Sequence, residues 1–162
     1  MLIWWIWFEL IVSDNSKAKV LKFGRIFKIP KEVFNYKNKI FAEKKIISKI
    51  KNKKVKLICL AGFMKILSKD FIKRFKGKIL NIHPSLLPKY KGLNTHKRVL
   101  SNNEKYSGCT VHTVNSKLDS GRIILQKKVK VSKNDTPKSL AKKILIQEHK
   151  LYPKAIKKVF NL

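Results

Sequence analysis

The chain has 162 residues, the length of one ordinary domain, and 44% of them are hydrophobic, enough for a packed interior and against a disordered chain despite 30% charged residues. Basic residues number 39 against 9 acidic ones, a formal net charge of +30, yet only four are Arg (Arg25, Arg74, Arg98, Arg122), which leaves 35 Lys. Readers of nucleic acid favour the planar, bidentate guanidinium over the point charge of Lys, so the excess reads as a Lys-rich solvated surface and nucleic acid is not an expected partner.

Taken in chain order, residues 1–12 are apolar with three Trp, but Glu9 interrupts them. The run is shorter than the roughly 20 residues of a membrane span and has no basic leader, so neither a membrane anchor nor a signal peptide is predicted. Residues 7–12 read as a buried strand. Ser13-Asp14-Asn15-Ser16 is a cluster of capping residues that predicts a helix to about Ile26, with Gly24 as a weak point inside it. A strand over 29–33 is placed near an edge by Pro30. Over 38–52, Ile40, Ile47 and Ile50, flanked by Phe41 and Ile46, recur at helical spacing with lysines on the other face. Residues 55–60 are almost continuously apolar, the pattern of a strand covered on both faces in a parallel sheet. Ser68 caps a helix to about Phe75, and 78–82 forms the next strand, stopped by Pro84. The loop 84–92 carries two prolines and a glycine and is long enough to suggest a task of its own. A helix over 95–102, strands over 109–114 and 123–131 around a loop at 115–121, and a helix opened by Thr136-Pro137 and running toward Phe160 follow. The expected fold class is α/β, an open, mostly parallel twisted sheet with helices on both faces. Cys59 and Cys109, each in an apolar stretch, read as buried reduced thiols of a cytoplasmic protein.

Leu80-Asn81-Ile82-His83-Pro84 is the most informative stretch. Strand residues two apart share a face, so Asn81 and His83 project together from the carboxyl end of a strand, where open α/β sheets place ligands. An imidazole exchanges protons near neutral pH and a neighbouring amide donates to a developing oxyanion, a pairing suited to attack on a carbonyl. Asp119, in the turn Leu118-Asp119-Ser120-Gly121, is a carboxylate able to orient such an imidazole. Each feature alone also fits a structural hydrogen bond or a turn-forming Asp.

Together, Leu60-Ala61-Gly62-Phe63-Met64-Lys65-Ile66-Leu67, Asn81-Ile82-His83-Pro84-Ser85-Leu86-Leu87-Pro88-Lys89-Tyr90, the stretch 108–126 and Gln147-Glu148-His149 resemble the phosphoribosylglycinamide formyltransferase family, from about residue 8 to residue 160. The resemblance implies a Rossmann-like formyltransferase fold and, without a metal, formyl transfer from 10-formyltetrahydrofolate to the amine of glycinamide ribonucleotide in purine synthesis. It implies catalytic roles for Asn81 (oxyanion), His83 (proton transfer) and Asp119 (tuning of His83). It implies folate contacts at Lys39, Met64, Lys65, Ile66, Leu67, Asn81 and Leu118, and substrate contacts at Gly92 and Glu148. Lys65 stands where the family often has Arg, keeping the charge but losing the fork. His112 reads as a supporting residue, and His96 and His149 as structural.

Family members begin with a strand, a Gly-Ser-Asn turn that cradles the substrate phosphate and a helix, all ahead of the point where this sequence starts; its first glycine is Gly24. The expectation is one formyltransferase domain over 1–162, incomplete at its front, with its first strand missing and with the small molecules glycinamide ribonucleotide and formyl folate as its substrates. A weakly active or inactive remnant is the alternative. Behind it stand a methionyl-tRNA formyltransferase, from whose pattern Gly92-Leu93-Asn94-Thr95-His96 departs, and a basic nucleic-acid-binding protein.

Overall fold

The computed structural model describes residues 8–162, so Trp7, with which the first predicted strand begins, lies outside the described residues. The chain divides into two compact units, one formed by residues up to 56 together with 67–77, the other by 57–66 and 78–162.

In the first unit β1 (Ile11–Ser13) pairs in parallel with β2 (Lys31–Val33), and α1 (Val20–Ile26), α2 (Lys39–Ile50) and α3 (Lys69–Arg74) complete it. Three expectations change here. The first strand begins at Ile11 and is only half covered, with Val12 exposed. The capping cluster makes a turn instead of a cap: Asn15 Oδ1 accepts from the Lys17 amide at 2.9 Å, and α1 starts later, behind an uncapped Lys19. Short polar side chains satisfy nearby amides in turns as readily as at helix starts. Gly24 is buried, and a Cβ there would sit 3.1 Å from the Ile29 carbonyl oxygen, so the glycine permits a close approach.

Asn38 caps α2 by accepting from the Phe41 amide, and Ser68 caps α3 by accepting from the Phe71 amide. Ala42, Glu43 and Ile50 are buried on α2, whereas Ile40 and Phe41, counted toward its apolar face, are exposed. The buried stripe includes a carboxylate because Glu43 accepts from Tyr36 Oη and the Ser68 amide, both at 2.9 Å, and from the Ser68 hydroxyl. A buried carboxylate is tolerated only with such partners.

In the second unit the sheet order is β3 (Leu57–Leu60), β4 (Lys78–His83), β5 (Tyr106–Thr113), β6 (Ile123–Lys130), with α4 (Thr95–Ser101) and α5 (Pro137–Phe160). β3 and β4 are parallel; β4–β5 and β5–β6 are antiparallel. The α/β class is present with sheets of mixed direction. A connection as short as that between β5 and β6 joins only antiparallel neighbours. Cys109 is buried but Cys59, on β3, is exposed; β3 pairs only with β4 among the described residues.

The period-two alternation sorts the residues of β4 and β5 between the two faces of the sheet. Leu80, Ile82, Cys109 and Val111 join the core that includes Leu140 and Ile144 of α5, a helix opened by a Thr136–Ser139 capping box with Pro137 at its start. Asn81 lies opposite His112 and His83 opposite Thr110, which puts these four on the other face. Among the described residues no helix is long and apolar enough to cross a membrane.

Candidate active site

β4 delivers Asn81 and His83 at its carboxyl end, and the turn after β5 delivers Asp119 to the same place. His83 Nδ1 lies 3.4 Å from Asp119 Oδ2, with side chains only 7% and 9% exposed. His83 Nε2 is 2.8 Å from the Tyr90 carbonyl oxygen, and Asp119 Oδ2 also accepts from the Gly92 amide at 2.8 Å. Asp119 reaches in from a left-handed backbone, φ +44°, and Gly92 from φ +78°, a conformation in which glycine lacks the steric penalty of other residues. The expected trio of Asn81, His83 and Asp119 is thus brought together, with Gly92 beside it.

The loop 84–92 that carries Tyr90 and Gly92 is pinned by Thr110 on β5. The Thr110 hydroxyl donates to the Ser85 carbonyl at 2.6 Å and accepts from the Leu87 amide at 3.1 Å and Gln126 Nε2 at 2.9 Å. Sequence reasoning missed this anchor, although the i, i+2 spacing of Thr110 and His112 on a strand was a usable signal. It also missed the Tyr90 carbonyl, a backbone atom with no side-chain signature.

His112, expected as a supporting residue, lies against two of the trio. Its Nε2 is 3.3 Å from Asn81 Nδ2 and 3.7 Å from Asp119 Oδ1, and its Nδ1 is 2.8 Å from the Thr113 carbonyl oxygen. Burial pushes its pKa down, opposed by the Thr113 hydrogen bond and Asp119 and reinforced by His83 and Lys91. His96, read as structural, has a buried Nδ1 without a partner; burial, then His83, lowers its pKa. His149 is exposed on α5.

The other expected site residues divide. Met64, Lys65 and Ile66 follow β3, with Met64 71% and Ile66 54% exposed, and Leu118 is 49% exposed beside the turn. Leu67 is buried at 6% exposure and, like Lys39 at the start of α2, belongs to the first unit. Glu148 on α5 is half-buried and makes no hydrogen bond or ion pair with the trio; burial raises its pKa, with His149 acting against it. No group of three or more His, Cys, Asp or Glu among the described residues is arranged to hold a metal ion.

A mixed α/β sheet presenting an amide, an imidazole and a carboxylate at one strand end defines the class, and a family model described as formyl transferase matches residues 8–156. The chain is 41% identical over 150 residues to the phosphoribosylglycinamide formyltransferase of Haemophilus influenzae, a match covering 91% of this chain and 71% of that one. It is 38% identical over 154 residues to the human trifunctional purine biosynthetic protein adenosine-3, covering 93% of this chain but 15% of that protein, so it spans a small part of such relatives. The crystal structure of phosphoribosylglycinamide formyltransferase from Anaplasma phagocytophilum superposes with a TM-score of 0.85 at 41% identity, over 92% of this chain and 72% of that one. The chain belongs to the phosphoribosylglycinamide formyltransferase family.

Proposed function

We propose that this chain transfers a formyl group from 10-formyltetrahydrofolate to the primary amine of glycinamide ribonucleotide, a step of de novo purine synthesis, in the cytoplasm. The observation that carries the reading is the convergence of Asn81, His83 and Asp119 at the carboxyl end of β4. A carbonyl oxygen only accepts, so the contact with Tyr90 puts the hydrogen of a neutral His83 on Nε2 and leaves Nδ1, facing Asp119, as the working nitrogen.

As the amine attacks the formyl carbon, the carbonyl oxygen gains charge, which an Asn81 N–H stabilises. The attacking nitrogen, now cationic, passes a proton to His83 Nδ1, and the imidazolium is held against Asp119. Collapse of the tetrahedral intermediate breaks the bond from carbon to the folate nitrogen, which takes a proton back from His83. One proton has moved from amine to leaving group.

The exposed apolar side chains of Met64, Ile66 and Leu118 fit a flat pterin, and Lys65 adds a cation for a carboxylate. Glu148, a half-buried carboxyl on α5, fits a ligand amine. Lys39 and Leu67 rest on the motif alone.

The test is a spectrophotometric transfer assay with glycinamide ribonucleotide or methionyl-tRNA as acceptor. Turnover is expected with the ribonucleotide and to fall by about 100-fold or more in Asn81→Ala. Absence of ribonucleotide turnover, or preference for the tRNA, overturns the reading.

A further inference from the structure

Asn81 is asked to present an N–H to a developing oxyanion, and nothing in its own side chain decides which end of the amide faces the site. The cross-strand partner decides it. His112 stands directly opposite Asn81 in the β4–β5 ladder, and its ring is 3% exposed. The Thr113 carbonyl oxygen, 2.8 Å from Nδ1, only accepts, so Nδ1 carries a hydrogen. A neutral ring then has a lone pair at Nε2, and the amide atom it faces at 3.3 Å must be a donor, Asn81 Nδ2. One of the two Nδ2 hydrogens is spent on His112, and the other is left for a ligand oxygen.

We propose that His112 is a positioning residue that, as the neutral Nδ1–H tautomer, fixes the Asn81 amide with its nitrogen toward the reacting oxygen. The inference rests on the proposed oxyanion role of Asn81. It differs from a packing role because it depends on which ring nitrogen carries the hydrogen. Asp119 and Asn81 face Nε2, the Thr113 carbonyl faces Nδ1, and His83 and Lys91 are the other charged groups acting on the ring. Burial disfavours the charged form of the ring. A proton on Nε2 would oppose the Asn81 N–H and turn that edge of the ring to Asp119 Oδ1, 3.7 Å away. The amide would lose its orientation and Asp119 would be drawn from His83.

Two measurements on the full chain test this. Nitrogen-15 NMR of the histidine rings at neutral pH should show His112 with Nδ1 protonated and Nε2 bare; the opposite tautomer or a charged ring overturns the proposal. In transfer kinetics, His112→Leu should lower kcat by about 100-fold with KM for both substrates little changed, the size of a lost oxyanion donor. His112→Gln, whose side-chain oxygen can accept from Asn81, should recover about tenfold of that loss. In the Asn81→Ala background, His112→Leu should cost little more, because residues acting through one another are not additive. An equal loss in both backgrounds, or no rescue by Gln, refutes the proposal. The ring spectrum needs no substrate, so a wrong tautomer is distinguishable from a wrong assignment of the reaction.

Discussion

Thr110→Val removes one hydroxyl and almost no volume from a fully buried site, and so isolates the anchoring of the loop 84–92. The hydroxyl makes three hydrogen bonds, and Gln126 Nε2 keeps a second acceptor, the Leu87 carbonyl oxygen at 2.8 Å. The Ser85 carbonyl and the Leu87 amide have no such replacement. Each of the two buried orphans costs about 1–3 kcal/mol, giving a destabilisation of roughly 2–6 kcal/mol, or a fall in Tm of roughly 4–24 °C for a chain of this size. Thr110→Ser keeps the hydroxyl and loses a methyl, at about 1 kcal/mol. Urea melts of the two variants, read as midpoints at unchanged slope, check the difference. The loop also supplies the Tyr90 carbonyl and the Gly92 amide, so kcat should fall further in Val than in Ser. A Val variant no less stable than Ser would refute the argument that this hydroxyl holds the loop.

Asp119→Asn keeps an oxygen for the Gly92 amide but loses the charge facing His83; kcat should fall by roughly 100- to 10000-fold, with stability within about 1 kcal/mol of the parent, as transfer assays and thermal melts would show. Glu148 has a raised folded pKa, so the folded chain binds its proton more tightly than the unfolded chain and stability falls as pH rises above the ordinary Glu value. Glu148→Gln should therefore melt no lower than the parent at neutral pH while raising KM for the amine substrate about 10-fold or more; a lower Tm with unchanged KM refutes both roles. His96 and His112 have lowered folded pKa values, so below about pH 6.5 the unfolded chain takes up protons first and stability drops until the folded rings titrate. Thermal melts of Glu148→Gln, which lacks the opposing carboxyl, should show Tm falling as pH is lowered through this range, and a flat profile counts against it.

The elements that local chemistry controls were legible in the sequence. The Thr136-Pro137 start of α5 and its end at Phe160, the cap of α3 at Ser68, and the strand carrying Asn81 and His83 follow from capping groups, proline and period-two alternation. So was the trio itself, because residue types in order along the chain carry a family's chemistry even where no distance is known. Tertiary structure decided what depends on partners far apart in sequence. The exposure of Ile40 and Phe41, the burial of Glu43 beneath Ser68, and the antiparallel pairing of β5 with β4 are settled by what packs opposite, which a helical or alternating pattern does not encode. The same holds for the side chains of the candidate site: the sequence names Asn81 and His83, but a carbonyl at Tyr90 and a ring at His112 determine which atoms they present. Hydrogen-bond direction is a property of the assembled pair, so it exists only once β4 and β5 lie side by side.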